Sequence, residues 1–437
     1  MQVVILSRSL VALALALAAA PALAQTKTPA APDAKRVAGQ KAMMASRQFG
    51  VAAATLDKDW DRIVGDIVTL TEIEAPPFKE DARGKAFAEM LKGAGLADVT
   101  TDKVGNVYGV RKGTGGGPLI VVTAHLDTVF PAGTDVKVKR DGSRLSAPGI
   151  GDDTASLSVI LAYLRALDAA KIATKSDIVF MGNVGEEGPG DLRGMRYLFG
   201  EGPLAKDIRY FISLEPGVER ITTGGVGSRR YRLSFKGPGG HSYGAFGMVN
   251  PAFALGGFLS EFGKTTTPKT PKTTYSVGIL EGGTSVNSIP FSATAEIDMR
   301  SEGKAELKAV EDRFLSLPQP AADAENAARS TATGKITVDN KLIGDRPVGE
   351  TPLNAEIVQI AAASMAADGV TASYGFGSTD SNWPMSLGVQ AITLGSGFVS
   401  ERSHSLDESI VIDKARALKF MRINLAAILG LAGASLN

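Results

Sequence analysis

The chain has 437 residues, a formal net charge of +1, 44% apolar and 21% charged residues, and no cysteine. This is an ordinary globular composition, long enough for more than one domain. It has no basic stripe suited to nucleic acid, and a disulfide, a thiolate metal site or a cysteine nucleophile is excluded.

The N-terminus, "MQVVILSRSLVALALALAAAPALAQ", has one arginine, a short apolar run and "ALA" before Gln25. It reads as a secretory signal over residues 1–24, cleaved after Ala24, which places the mature chain in a periplasm or outside the cell. The run is short for a membrane span, so no membrane association is expected after cleavage. Residues 25–54, rich in Ala, Lys, Thr and Pro, are expected to form a weakly ordered tether.

From Trp60 the pattern turns helical in "DWDRIVGDIVTLTEI", and "KEDARGKAFAEMLKGAG" gives a second amphipathic helix. "PLIVVTAHLDTV" reads as a buried parallel strand. A helix over 154–170, the strand "DIVFMG", the helix "DLRGMRYLFG" and the strand "YFISLEPG" follow. This alternation predicts an α/β, mostly parallel sheet, whose ligands bind beyond the C-terminal strand ends. The glycine-rich "GTGGG" at 113–117 precedes a strand rather than joining a strand to a helix, so it does not fit a phosphate loop. Near residue 225 the order becomes βαββαβ, from "SRRYRLSFKG" to "GKITVDNKL", which predicts a ferredoxin-like unit inserted into the first domain. From about 342 the α/β pattern returns. The predicted boundaries are 55–222 and 342–437 for the catalytic domain and 223–341 for the insertion.

There are three histidines. His125 follows the buried strand in "AHLD", where Asp127 could accept the ring's other N–H. Asp152 and Asp153 stand at the corner "GIGDDTAS"; one aspartate suffices to cap the helix, leaving the other as a ligand. Glu186 and Glu187 end one strand, Glu215 ends the next, and His404 lies in "SERSHSLDES". Two imidazoles and several carboxylates at consecutive strand ends form a ligand set for a pair of borderline cations, with zinc the best match.

The ordered motifs "HLD", "GDD", "GEE", "EPG", "GPGGHS", "GGTSVNSIP", "DMR", "STDSN" and "RSHSLDE" resemble the co-catalytic dizinc hydrolases. That family includes glutamate carboxypeptidase, acetylornithine deacetylase, succinyl-diaminopimelate desuccinylase, aminoacylase and tripeptide aminopeptidase. The resemblance spans about residues 55–437. It implies two Zn²⁺ per chain, with Co²⁺ or Mn²⁺ as substitutes. It implies His125 and Glu215 on one metal, Glu187 and His404 on the other, and Asp153 bridging, with Asp152 as the alternative bridge. Asp127 would be the partner of His125 and Glu186 the general base.

The inserted unit would be a lid and dimerisation domain that forms a homodimer. Through it His241 and Asn287 would reach the substrate carbonyl, often in the other subunit. Arg300 would bind a substrate carboxylate, with Thr379 and Gly397 lining the pocket. "GDDTAS" departs from the family in lacking Lys or Gly after the bridging Asp. Glu at 215, with Arg300, favours a carboxypeptidase or an N-acyl amino acid hydrolase. An aminopeptidase or dipeptidase of the same family, or an inactive peptide-binding relative, is the alternative.

Overall fold

The computed structural model describes residues 31–436, so the expected signal over 1–24 lies outside the described residues. The central sheet runs in the order Val99–Thr101, Val107–Arg111, Ile178–Asn183, Leu119–His125, Ile208–Glu215, Gln390–Gly395, Arg220–Gly225 and Gly349–Glu350, and Ser373–Gly377 also pairs with Arg220–Gly225. Its four middle strands, from Ile178–Asn183 to Gln390–Gly395, are parallel. Their C-terminal ends therefore share one edge.

Alternation along these strands explains their unbroken apolar runs. Ile120, Val122, Ala124, Ile178 and Phe180 join a large core with the helices Ser156–Ala169, Glu356–Ala367 and Lys414–Leu431. Val121, Val179, Met181 and Phe211 face the other way, onto Leu192, Met195 and Leu198. With both faces covered, successive residues point to opposite cores and neither set can be polar. Among the described residues, no helix is long and apolar enough to cross a membrane.

A second, four-stranded antiparallel sheet has the order Thr273–Gly282, Ser292–Ser301, Gly227–Lys236, Thr337–Arg346. Leu233, Phe235, Ala295, Ile297 and Met299 pack on Phe258, Phe262 and Phe314 of its helices. The intervening positions carry charge: Arg230 stands opposite Asp298, and Arg232 opposite Glu296. The helix Pro318–Ala328 precedes its last strand and is absent from the sequence expectation.

The tether expected over 25–54 is not a tether where it is described. Ala34–Met44 and Arg47–Lys58 are helices, the second capped by the Ser46 side chain. Phe49, Ala52 and Leu56 enter the main core. The alanines that suggested low complexity are good helix formers, and spacings of three and four put these residues on one buried face.

One buried cation ties the helix Asp81–Gly93 and the segment after Trp60–Thr71 to the sheet edge. Arg83 is fully buried and donates through Nε and Nη2 to the Ile73 carbonyl, at 3.0 and 2.7 Å. Its Nη1 donates to the Leu126 carbonyl at 2.7 Å, between His125 and Asp127. Arg83→Met is predicted to leave both carbonyls short of donors, at about 1–3 kcal/mol each. Urea unfolding of both proteins checks this. A midpoint within error of the wild type would show that these bonds carry no net stability.

Candidate metal centre

The chemistry gathers where the parallel strands stop. His125 closes its strand and pairs in register with Asn183. Its ring is almost wholly buried, and its Nδ1 lies 2.9 Å from the carbonyl oxygen of Asp127. A carbonyl only accepts, so Nδ1 carries a proton, and Nε2 is the ring nitrogen left to face the carboxylates or a cation. Asp127, the residue the sequence pointed to, makes this contact with its backbone oxygen and not with its carboxylate. That carboxylate is 3.8 Å away at Oδ1 and instead accepts the backbone N–H groups of Glu186 (3.1 Å) and Glu187 (2.8 Å). Asp127 thus orients His125 with its backbone and the two glutamates with its side chain.

Of the two adjacent aspartates, the one expected as the alternative bridge, Asp152, is the one that stands between the imidazoles. Asp152 Oδ1 lies 2.9 Å from His125 Nε2, and Asp152 Oδ2 lies 3.3 Å from His404 Nε2. Asp153 sends Oδ2 to the backbone N–H of His125 at 3.1 Å, and its Oδ1 is buried without a hydrogen bond. The carboxylate between the two imidazoles is therefore Asp152, not Asp153. Consecutive side chains diverge, and only the first faces the rings. Burial raises the pKa of Asp152, but the hydrogen bonds to His125 and His404 outweigh it and hold the group below its usual range. Burial, opposed by His125, raises Asp153 well above its usual value. Glu408, also fully buried, accepts the N–H groups of Gly149, Gly151 and Asp152 and fixes this corner.

His404 Nε2 also reaches Glu187 Oε1 at 3.0 Å. His125, Asp153 and Glu215 form a second group whose donor atoms lie within 4.8 Å of one another, and His125, Glu186 and Glu187 form a third. Burial, then the Asp153 charge, pushes Glu215 well above the usual carboxylate range. Burial pushes Glu186 up to about 8 against the opposing charge of Arg346. Hydrogen bonds to Asp152 and Glu187 push His404 up to about 10.

Positive charge is what this cluster demands. The imidazoles meet it only by binding protons on the nitrogens that face the carboxylates. A divalent cation would use the same lone pairs. The donors are imidazole nitrogen and carboxylate oxygen, converging and mostly buried, and this set fits zinc.

Two cavities of about 350 Å³ flank the cluster, and both touch Asp152 and Glu215. One is lined by Glu186, His404, Arg230, Arg300 and Arg346. Arg230 and Arg300 share the Asp298 carboxylate, at 3.1 and 2.6 Å. The other is lined by Thr379, Val218, Phe376, Val399 and Arg220. Thr379 Oγ1 is 2.8 Å from Thr393 Oγ1.

Three expected binding residues are not brought to either cavity. Gly397 lines neither; at φ +100° it sends its N–H to the Gly217 carbonyl, and a Cβ there would meet the Ala417 carbonyl. Its missing side chain permits a close backbone packing. His241 and Asn287 are exposed and line neither cavity. His241 Nδ1 accepts the N–H groups of Tyr243 and Gly244.

The sequence reading missed Arg346, Asp380 and Glu408, all buried. A charged residue beside proline in "GDRPVG" was a signal, although a turn explains it equally well.

Residues 121–421 match the peptidase family M20/M25/M40. A putative [LysW]-lysine/[LysW]-ornithine hydrolase of Pyrococcus abyssi is 35% identical over 38% of this chain and 43% of its own length. A probable carboxypeptidase of Ajellomyces capsulatus is 26% identical over 53% and 59%. The chain thus spans less than two thirds of either relative. The fold is similar to that of a Staphylococcus aureus tripeptidase, with a TM-score of 0.69 and 21% identity over 85% of this chain and 98% of that one. Aminopeptidase PepT from Bacillus cereus gives a TM-score of 0.67 and 21% identity over 85% and 99%. With the family match covering more than half of its length, the chain belongs to the peptidase family M20/M25/M40.

Proposed function

We propose that this protein is a metal-dependent hydrolase that cleaves an amide bond in small peptides or N-acyl amino acids. The observation that carries the reading is Asp152 placed between the Nε2 atoms of His125 and His404, with Glu186 lining the same cavity. Two zinc ions would be held by His125 and Glu215 on one side and by Glu187 and His404 on the other, with Asp152 shared. When bound, such ions polarise a carbonyl and make water a nucleophile near neutral pH.

The chain's own groups supply the rest. Arg346 engages Glu186 at Oε1, so Oε2 is the oxygen available to accept a proton from water and return it to the leaving nitrogen. Asp127 keeps the peptide groups of Glu186 and Glu187 in place.

Arg230 and Arg300 support a preference for substrates with a free carboxylate, as in a carboxypeptidase or deacylase. Each spends Nε on Asp298, Arg230 also gives Nη1 to the Gly188 carbonyl, and both retain further guanidinium donors, suited to a planar carboxylate. His241 and Asn287 lie on a surface with exposed Tyr243, Phe246, Val286 and Phe291. A contiguous apolar surface is consistent with a homodimer, in which this second sheet would act as a lid and dimerisation unit and present those two residues to the partner's site. The N-terminal reading assigns the work to a periplasm or the medium.

Glu186→Gln is predicted to lower kcat by about 10²–10⁴-fold, with metal content unchanged by elemental analysis. A variant that turns over at the wild-type rate would remove Glu186 from its role. Asp152→Asn is expected to lower bound zinc more than Asp153→Asn, because only Asp152 faces both imidazoles. Equal losses in dialysed protein would contradict that assignment. Chelation should abolish hydrolysis of acetylated amino acids and dipeptides and lower Tm, with zinc restoring both. Full activity after complete metal removal would refute the metal-dependent reading.

A further inference from the structure

Arg346 ends the strand Thr337–Arg346 of the second sheet, yet its side chain is buried against the catalytic edge. Both it and Glu186 are about 5% exposed. Nη1 donates to Glu186 Oε1 at 2.7 Å and to Ser378 Oγ at 2.8 Å. Nη2 donates to the backbone carbonyl of the same Glu186. One guanidinium therefore grips both the carboxylate and the peptide of one residue. Asp127 holds the N–H of that residue from the other side. Backbone donor, backbone acceptor and one carboxylate oxygen are all fixed, and among the described residues no hydrogen bond is made to Oε2.

Asp380 completes the arrangement. It is fully buried, takes the Asn183 amide on Oδ2 at 2.7 Å, and has no hydrogen bond at Oδ1. Arg346 likewise has no partner at Nε among the described residues. The Asp380 charge acts on Arg346 as the Glu186 charge does. The strand end is itself anchored: Asp345 pairs with Arg229, receives Arg196 at its carbonyl, and donates its N–H to Asp191 Oδ1 at 3.0 Å.

We infer that Arg346 is a positioning residue for the reaction: it clamps Glu186 so that Oε2 faces the cavity for proton transfer. The inference rests on the reading of Glu186 as the proton carrier. A rival role, as a ligand for a substrate carboxylate, is disfavoured by geometry. Arg346 is about 5% exposed and commits Nη1 twice and Nη2 once within the protein, whereas Arg230 and Arg300 in the same cavity are more exposed and make fewer internal bonds.

The test is steady-state hydrolysis of an acetylated amino acid or dipeptide by zinc-loaded wild type, R346M, R346K, E186Q and E186Q/R346M, with zinc content measured in each. R346M should lose about 10²-fold in kcat while KM stays within about threefold and zinc is retained. Added guanidinium chloride at low millimolar concentration should restore part of kcat. In the E186Q background R346M should add almost nothing, since the clamp acts only through Glu186.

If R346M does not fold, R346K carries the same test. Lysine keeps the charge and loses the two-pronged grip, and its kcat should fall at least about tenfold at similar KM. A tenfold or greater rise in KM at near wild-type kcat would make Arg346 a substrate ligand and overturn the inference. Additive losses in the double variant, or wild-type kcat in R346K, would overturn it as well. An inactive wild type, or an E186Q variant of undiminished kcat, would instead bring down the underlying reading of the site.

Discussion

The Asp127 carboxylate receives the N–H groups of both Glu186 and Glu187, and the site depends on that pair of bonds. Two adjacent glutamates at a strand end repel each other and would rotate toward solvent if left free. Here their backbone is tied to the end of the neighbouring strand, and His125 is oriented through the carbonyl of the same aspartate. One buried residue thus sets the relative position of a nitrogen donor and two carboxylates. Arg83, on the Leu126 carbonyl, holds that residue's own backbone from behind. A cation site needs this stiffness, because like charges stay together only where the chain has no lower-energy way to separate them.

The second sheet reaches the same edge by a different principle. Its alternation sends Phe235, Ile297 and Met299 into a separate core and leaves Arg230, Asp298 and Arg300 on the opposite face. Charged side chains at alternate positions on adjacent strands pair across the sheet, and here the paired face lines a cavity. Arg346 extends the pattern to the end of the fourth strand and enters the catalytic edge itself. The position of Glu186 is therefore coupled to a strand from a different sheet.

Much of this was legible in the sequence, for a stated reason. His125, Glu187 and Glu215 follow apolar runs that could only be buried strands, so their place at one edge followed from the parallel order. His404 was legible only through its motif, because it sits in a loop at φ +67°. The choice between Asp152 and Asp153 was not legible, since spacing cannot tell which of two neighbours faces a ring. Arg346 was hidden because its partner lies 160 residues earlier in the chain, and Asp380 because a buried aspartate leaves no periodic trace. The helices over 34–58 were lost to composition: a run of alanines serves a helix and a linker alike until tertiary packing decides.

The doubled acids, Asp152–Asp153 and Glu186–Glu187, share a logic. In each pair one member faces His404: Asp152 at 3.3 Å and Glu187 at 3.0 Å. The other is committed elsewhere, Asp153 to the backbone of His125 and Glu186 to Arg346. In both pairs the two carboxylates take different partners, so a doublet delivers two carboxylates of one chain segment to two different tasks. The chain must turn sharply beside each pair. Gly185, at φ +73°, directly precedes Glu186, and a Cβ there would strike Arg193 Nη1 at 2.4 Å. Gly151 directly precedes Asp152, where a Cβ would lie 2.4 Å from Ser400 Oγ. The glycines thus let Arg193 and Ser400 pack directly against the backbone beside each doublet, which a side chain there would prevent.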